Sequence, residues 1–383
     1  MKTDATREKR WRTIASSIKR AIQRGDLTSG SRIASQIDIA EQWNVSPMTA
    51  HRALTDLQRE GWVVRRPKIG TVVADRSARP LMKIGLVFTT LSDEPQSGYL
   101  GGIENSLREG YQLLPFHTNS RPEIEAACLE RAGAECDAII CYASGDPANT
   151  PMINKLAENI PIVFVDRLPE GANADIIATD NQSSITQGLR HVYTLGHRRI
   201  AYLMEDNLQI SAVRERRAGY VEFMIDKGLD ASRWLRTLDP IVPRDTYYQR
   251  VETIVVEMLS ESEPVTAIAC QQAVTMAAVL ESCTRLGVSA PEELAILGFN
   301  DHSVGHQPLA RNAHRIVQRS AEMGHMAAQR IEHRLINPGI PPQQTRVMAD
   351  FFPAQPYVPT PAAAEFIAKN RLKQTNSDIL GPA

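Results

Sequence analysis

The sequence predicts an α/β protein: a small N-terminal module of three helices closed by a two-stranded hairpin, then a two-lobed domain of alternating strands and helices. Three observations carry that prediction. The N-terminal residues show helical spacing followed by a hairpin. From residue 84 onward, apolar runs of strand length recur with helix-like segments between most of them, the pattern of a mainly parallel sheet. Charge is also divided. Residues 1–80 carry 16 Lys and Arg against 8 Asp and Glu, while residues 81–383 carry 27 against 36. A basic first segment on an acidic body is the electrostatic footprint of a nucleic-acid-binding module joined to something else.

In the N-terminal module, Ile14, Ile18 and Ile22 mark one face of a first helix. Gly25 and Gly30 interrupt the chain, and a short second helix carries Ile39, Ala40 and Trp43. Ser46-Pro47 opens a third helix, with Ser46 as N-cap and Pro47 at its first position. Ala50, Ala53, Leu54 and Leu57 form its buried stripe, and Gly61 ends it. Trp62–Val64 and Thr71–Val73 read as two short strands joined by the basic hairpin Arg65 to Gly70.

In the body, strands are expected at Ile84–Phe88, Leu113–Phe116, Ala138–Tyr142, Ile162–Val165, Ile176–Thr179, Ile200–Met204, Ala267–Cys270 and Leu294–Phe299. About 270 residues is long for one core, which implies two lobes. The expected division is a nucleic-acid-binding module over 1–74, a linker over 75–82, a two-lobed α/β domain over 83–352 and a loosely ordered Pro/Ala/Thr-rich tail over 353–383.

Several classes are excluded. No run of 18 apolar residues exists, so no membrane span is expected. The polar, basic N-terminus is not a secretory signal. Five unpatterned cysteines fit reduced thiols in a cytoplasm. His191, His197, His302 and His306 lack metal-site spacing, and no phosphate loop, dinucleotide fingerprint or nucleophile elbow is present. Neither cofactor, metal nor catalysis is expected.

A helix-turn-helix sets the N-terminal residues of its recognition helix on base edges. Here those are Ser46, Met48, Thr49, His51 and Arg52. Small hydroxyls suit phosphate, and Arg52 can reach guanine O6 and N7. Lys68 at the hairpin tip is placed for a minor groove or a phosphate. The stretch resembles the GntR-type winged helix over residues 12–74, through Gly25, Leu27, Gly30, Val45-Ser46, Thr49, Ala53-Leu54, Leu57, Glu60-Gly61 and Gly70-Thr71-Val72-Val73. The resemblance implies operator DNA as partner and adds Ser35 as a contact. It also exposes departures. The usual Leu-Pro-Ser-Glu-Arg run is Ile33-Ala34-Ser35-Gln36-Ile37, and two further common arginines are Pro47 and His51. Arg52 and the wing therefore gain weight.

Polar groups follow the strands of the body: Asp166-Arg167, Asp180-Asn181 and Asn300-Asp301. Ligands of open α/β sheets bind at the carboxyl ends of strands. The body resembles the LacI-type regulatory domain, similar to periplasmic sugar-binding proteins, over about residues 82–352. The resemblance rests on Leu195-Gly196-His197-Arg198-Arg199-Ile200-Ala201-Tyr202-Leu203, on Arg216 before Gly219-Tyr220, and on Leu286-Gly287-Val288 leading to Gly298-Phe299-Asn300-Asp301. Gln318 and Gly324 fit the family's late helix. The resemblance implies that Arg216 holds ligand oxygens, with Asp166 and Asn300 approaching from opposite lobes. Thr89, Asp180 and Gln272 complete the candidate set. Asn300 stands where Asp is usual, and Gln272-Ala273 where Asn-Asp is usual. A stacking aromatic is expected for a sugar, but the sequence does not place one.

A GntR-like head on a LacI-like body is similar to arabinose-type repressors. It implies a dimer that binds an inverted repeat and responds to a small polar effector, a carbohydrate, by lobe closure. Co-repression by the ligand is the alternative. An enzyme would need a nucleotide- or phosphate-binding motif, and a transport protein a signal peptide.

Overall fold

The computed structural model describes residues 4–59, 61–67, 69–75, 81–91, 95–107, 109–239, 243–300, 308–337 and 339–355. Lys68, linker residues 76–80, Asp301, His302, His306 and tail residues 356–383 lie outside them. The chain divides between Leu81 and Met82 into two compact units.

The head contains α1 (Asp4–Gln23), α2 (Gln36–Gln42), α3 (Pro47–Arg59), β1 (Val63–Arg66) and β2 (Gly70–Val73). Trp11, Ile14, Ile39, Ala40, Ala50, Ala53, Leu57, Val63 and Val73 form one core, with Ile18 and Ile22 packed on it. The fourfold apolar spacing of α1 thus faces the two helices behind it. β1 and β2 pair antiparallel, Val63 opposite Val73 and Arg66 opposite Gly70. The strands run closer to the hairpin tip than the apolar runs suggest: Trp62 precedes β1, which instead takes in Arg65 and Arg66, and β2 begins one residue early, at Gly70. Alternate residues on such a small two-stranded sheet face water, so polar residues can extend the ladder.

The body has strands β3 (Met82–Phe88), β4 (Tyr111–His117), β5 (Ala138–Cys141), β6 (Ile162–Val165), β7 (Asp175–Thr179), β8 (Ile200–Glu205), β9 (Leu235–Leu238), β10 (Ala267–Cys270), β11 (Ala295–Asn300), β12 (His314–Val317), β13 (Gln344–Val347) and β14 (Asp350–Phe352). Its helices are α4 (Gln96–Glu104), α5 (Pro122–Glu135), α6 (Thr150–Ala157), α7 (Asn181–Thr194), α8 (Ser211–Asp226), α9 (Ala231–Trp234), α10 (Arg244–Leu259), α11 (Ala273–Leu286) and α12 (Ser320–Ile336). Met82, expected in the linker, is already the first residue of β3.

Two six-stranded sheets result, ordered β13-β7-β6-β5-β3-β4 and β14-β12-β11-β10-β8-β9. All neighbours are parallel except β14, which runs against β12. Helices cover both faces of each sheet, giving two apolar cores per lobe. Central strands such as β5, β6 and β10 are therefore buried at every residue, which explains their unbroken apolar sequence.

The chain passes between lobes three times: after β7, after β12, and between β13 and β14. α7 packs on α8, β11 and β12 of the second lobe, whereas α12 returns to α4 and the first sheet. The α4–α12 crossing depends on two glycines. A Cβ on Gly102 would meet the Ala321 carbonyl at 2.0 Å, and one on Gly324 the Tyr99 carbonyl at 2.1 Å. Residues 353–355, the start of the expected loose tail, are tied back: Ala354 N donates to His314 Nδ1 at 3.1 Å and Gln355 N to the Arg311 carbonyl at 2.7 Å.

His314 lies against His191, ring centroids 4.9 Å apart. Burial, with His191 and His197 adding positive charge, pushes it down to about 4. The unfolded chain takes up a proton near pH 6.5 that the folded ring refuses, so the body should lose stability as pH falls from about 6.5 toward 4. Urea unfolding at pH 7.5 and pH 5 should differ by about 2 kcal/mol from this group. The His314→Gln variant should show a correspondingly flatter pH dependence. An unchanged slope in the variant would mean that other groups carry the acid sensitivity.

Candidate functional site

On the head, α3 buries Ala50, Ala53 and Leu57 and leaves Met48, His51 and Arg52 exposed. Two predicted contact residues are also helix caps. Ser35 accepts the Asp38 backbone N–H at 3.3 Å while Asp38 takes the Ser35 N–H at 3.0 Å, a capping box at the start of α2. Ser46 Oγ accepts the Thr49 N–H at 3.3 Å and lies 2.9 Å from Thr49 Oγ1. Arg52 sits over the Trp11 ring at 4.9 Å, with Arg12 over the same ring at 5.4 Å. The cation–π contact draws Arg52 toward α1. On the wing, Val64, Arg65 and Arg66 are exposed.

In the body, Asp166, Thr179, Asn181, Arg216, Gln271 and Gln318 are buried polar residues at the ends of strands or beside the crossings. Asp166 follows β6 with φ 66°, a left-handed conformation that aspartate tolerates better than most residues. Gln318 Nε2 donates both to Asp166 Oδ1 and to Thr179 Oγ1, each at 2.9 Å. Gln318 thus lies just after β12, on the second crossing and before α12, and joins it to the ends of β6 and β7. The sequence reading placed it in the late helix.

Arg216 on α8 donates from Nε to Asn181 Oδ1 at 2.7 Å and from Nη1 to the Gln271 carbonyl at 2.9 Å. Its guanidinium covers the Phe299 ring at 3.7 Å. Asn181 in turn donates to the Thr179 carbonyl at 3.1 Å and to Glu215 Oε2 at 3.0 Å. The first crossing is therefore bonded directly to Arg216. Gln272 donates to Glu205 Oε1, and the Glu205 N–H donates to Gln271 Oε1 at 2.6 Å. Burial pushes the Glu205 carboxyl up, opposed by hydrogen bonds from Gln272, Asn207 and Tyr247.

The remaining candidates divide. Asp180 is the N-cap of α7, accepting the Ser183 N–H at 3.0 Å. Thr89 is buried and donates to Gln96 Oε1 at 2.7 Å. Asn300 ends β11 opposite Val317; its side chain lies outside the described residues. The sequence reading named Arg167 and Asn181 among the polar groups at strand ends but left them out of the candidate set, and it did not name Glu205. Arg167 lies 3.5 Å from Asp166 Oδ2 and covers the Tyr142 ring at 4.4 Å. Tyr142 leans on Phe88 and Tyr99. Tyr142 and Phe299 are both buried, each beneath the guanidinium of its arginine. The lobes meet beside this set, where Leu168 N donates to Ser211 Oγ at 3.4 Å.

Among the described residues, no cluster of His, Cys, Asp or Glu could hold a metal ion, and no helix is long and apolar enough to cross a membrane.

Residues 11–73 match the model for bacterial regulatory proteins of the gntR family, and residues 189–352 match the periplasmic binding protein-like domain. Winged head and two-lobed body together define a class, the transcriptional regulators that join a gntR-type DNA-binding domain to a periplasmic-binding-protein-like effector domain. Within that class the chain is similar to the arabinose metabolism transcriptional repressor of Halalkalibacterium halodurans, 26% identical over 315 residues, covering 77% of this chain and 81% of the relative. It is also similar to the protein of the same name from Geobacillus stearothermophilus, 26% identical over 335 residues and covering 82% and 88%. The fold is shared with a periplasmic binding protein/LacI transcriptional regulator from Alkaliphilus metalliredigens complexed with D-xylulofuranose. That likeness has a TM-score of 0.61 at 18% identity and covers 72% of this chain and 99% of that one.

Proposed function

We propose that this chain is a cytoplasmic, homodimeric repressor, without enzymatic activity, that leaves an inverted-repeat operator when a carbohydrate enters the cleft between its lobes. The head over residues 1–74 binds DNA through Ser35, Ser46, Met48, Thr49, His51, Arg52 and Lys68, and the body over 83–352 takes the effector.

One observation carries the reading. Arg216, the residue this reading gives to the ligand, is a bonded neighbour of the first crossing through Asn181. Two of its donors are committed to the protein, and the fork geometry of a guanidinium leaves further N–H groups for ligand oxygens. Arg167, Asp166 and Gln272 complete a polar, hydroxyl-matching lining, with Tyr142 and Phe299 behind the two arginines, and the sequence reading adds Asn300 at the end of β11. Ligand drawn onto Arg216 alters the bonds of Asn181, and lobe closure follows. The names of the relatives, arabinose repressors, and the D-xylulofuranose in the structural neighbour support a sugar.

The test uses the full chain. A panel of pentoses, hexoses and disaccharides is screened by thermal shift, since a ligand present at 100 times its Kd stabilises the folded state by about 2.7 kcal/mol. Any sugar that raises the melting temperature is then added to the protein bound to a duplex selected from a random library. Release of the duplex supports the reading. A panel without a single stabilising sugar, or one that stabilises without changing DNA affinity, contradicts it.

A further inference from the structure

The α3 face opposite its buried stripe carries little charge at its start. Met48 is 74% exposed, and Ile37 on α2 is 59% exposed. Both stand in a head whose sequence is strongly basic and whose wing exposes Arg65 and Arg66. Large apolar side chains left in water gain stability when another apolar surface covers them. Arg52, the nearest long cation on α3, is drawn to Trp11, and Ser46 and Thr49 are hydrogen-bonded to each other. The outward surface at the start of the recognition helix is thus the Met48 thioether, with the exposed His51 imidazole one turn further on.

We infer that Met48 is a specificity-determining residue that reads a thymine through its 5-methyl group in the major groove. Thymine is the base that presents a methyl group there, and apolar side chains recognise it by contact. The surrounding positive charge matches the phosphates on either side and supplies affinity without sequence information. Met48 supplies discrimination that charge cannot. A cytosine at the same position offers a polar edge with no methyl, and loses the contact.

The inference rests on the DNA-binding reading of the head, and the experiment separates the two. Full-length protein selects duplexes from a random-sequence library. In the selected site each thymine is replaced in turn by uracil, which removes one methyl group and keeps the base pair. Affinity is measured by fluorescence anisotropy for the parent, Met48→Ala and Ile37→Ala. One uracil substitution should weaken the parent about fourfold, the effect of one methyl removed from an apolar contact. Met48→Ala should bind the thymine site more weakly and be indifferent to that same substitution, whereas substitutions elsewhere should act alike on both proteins. Ile37→Ala should keep the penalty at the Met48 position. A parent that binds its selected duplex yet ignores every thymine methyl overturns this inference alone. So does a Met48→Ala variant with the parent's full penalty. A protein that selects no duplex overturns the DNA-binding reading together with it.

Discussion

Replacing Arg216 with alanine should weaken effector binding about 100-fold and leave operator affinity at its effector-free value. A charge-assisted hydrogen bond contributes about 1.5–3 kcal/mol, and the partners left unpaired in a buried site add to the loss. Here the partners on the protein side are Asn181 Oδ1 and the Gln271 carbonyl. The variant also loses the cation held over Phe299 at 3.7 Å. Lysine at this position should not restore binding, because a single ammonium cannot span Asn181, Gln271 and a ligand with fixed fork geometry. Calorimetric titration of the effector, with a thermal melt as a control for folding, measures the effect. An Arg216→Ala variant that is folded and binds effector like the parent would place the pocket elsewhere.

The second large effect concerns stability. Asp175 opens β7 fully buried, with Oδ1 2.6 Å from Arg330 Nε and Oδ2 3.2 Å from Arg334 Nη1. It also accepts the Gln343 N–H at 2.8 Å. Both arginine side chains are 12% exposed. One carboxylate thus joins α12 to the approach to β13, the segments on either side of a turn in the first lobe. Asp175→Ala leaves two nearly buried cations without their counter-ion, a change that costs about 3–5 kcal/mol. For a domain of this size the melting temperature should fall by about 10 °C. A fall of less than 2 °C would show that both guanidinium groups reach water once the carboxylate is gone.

The central strands were legible in the sequence because burial on both faces demands an unbroken apolar run. Ile162–Val165 and Ala267–Cys270 coincide with β6 and β10. Strands β9, β12, β13 and β14 were not read. Three of them are the outer strands of their sheets, and all four carry charged residues such as Arg236, Arg315, Arg346 and Asp350. An outer strand has one neighbour and one partly wet face, so its composition no longer announces it. β12 lies inside its sheet and still escapes notice, since His314 and Arg315 interrupt its apolar pattern.

The same logic applies to the candidate site. Arg216 and Asp166 stood out by their position in recognisable runs, and the structure places both among buried hydrogen-bonded groups. Asn181 and Gln318 stood out less, because their importance lies in bonds between segments far apart in sequence. Gln318 reaches Asp166 across 152 positions. Asp180 was read as a ligand group from its place after a strand, but that place is also the N-cap of α7. A carboxylate there is explained by the helix alone.

Operator affinity with and without effector, set beside effector affinity with and without operator, tests the coupling between head and body most directly. Linkage requires the two ratios to be equal, and couplings of this kind are about 5- to 150-fold. The prediction is that saturating sugar lowers operator affinity by a factor in that range, that operator lowers sugar affinity by the same factor, and that Arg216→Ala abolishes the effect of added sugar on the operator. Unchanged operator affinity with the body saturated by sugar would contradict it.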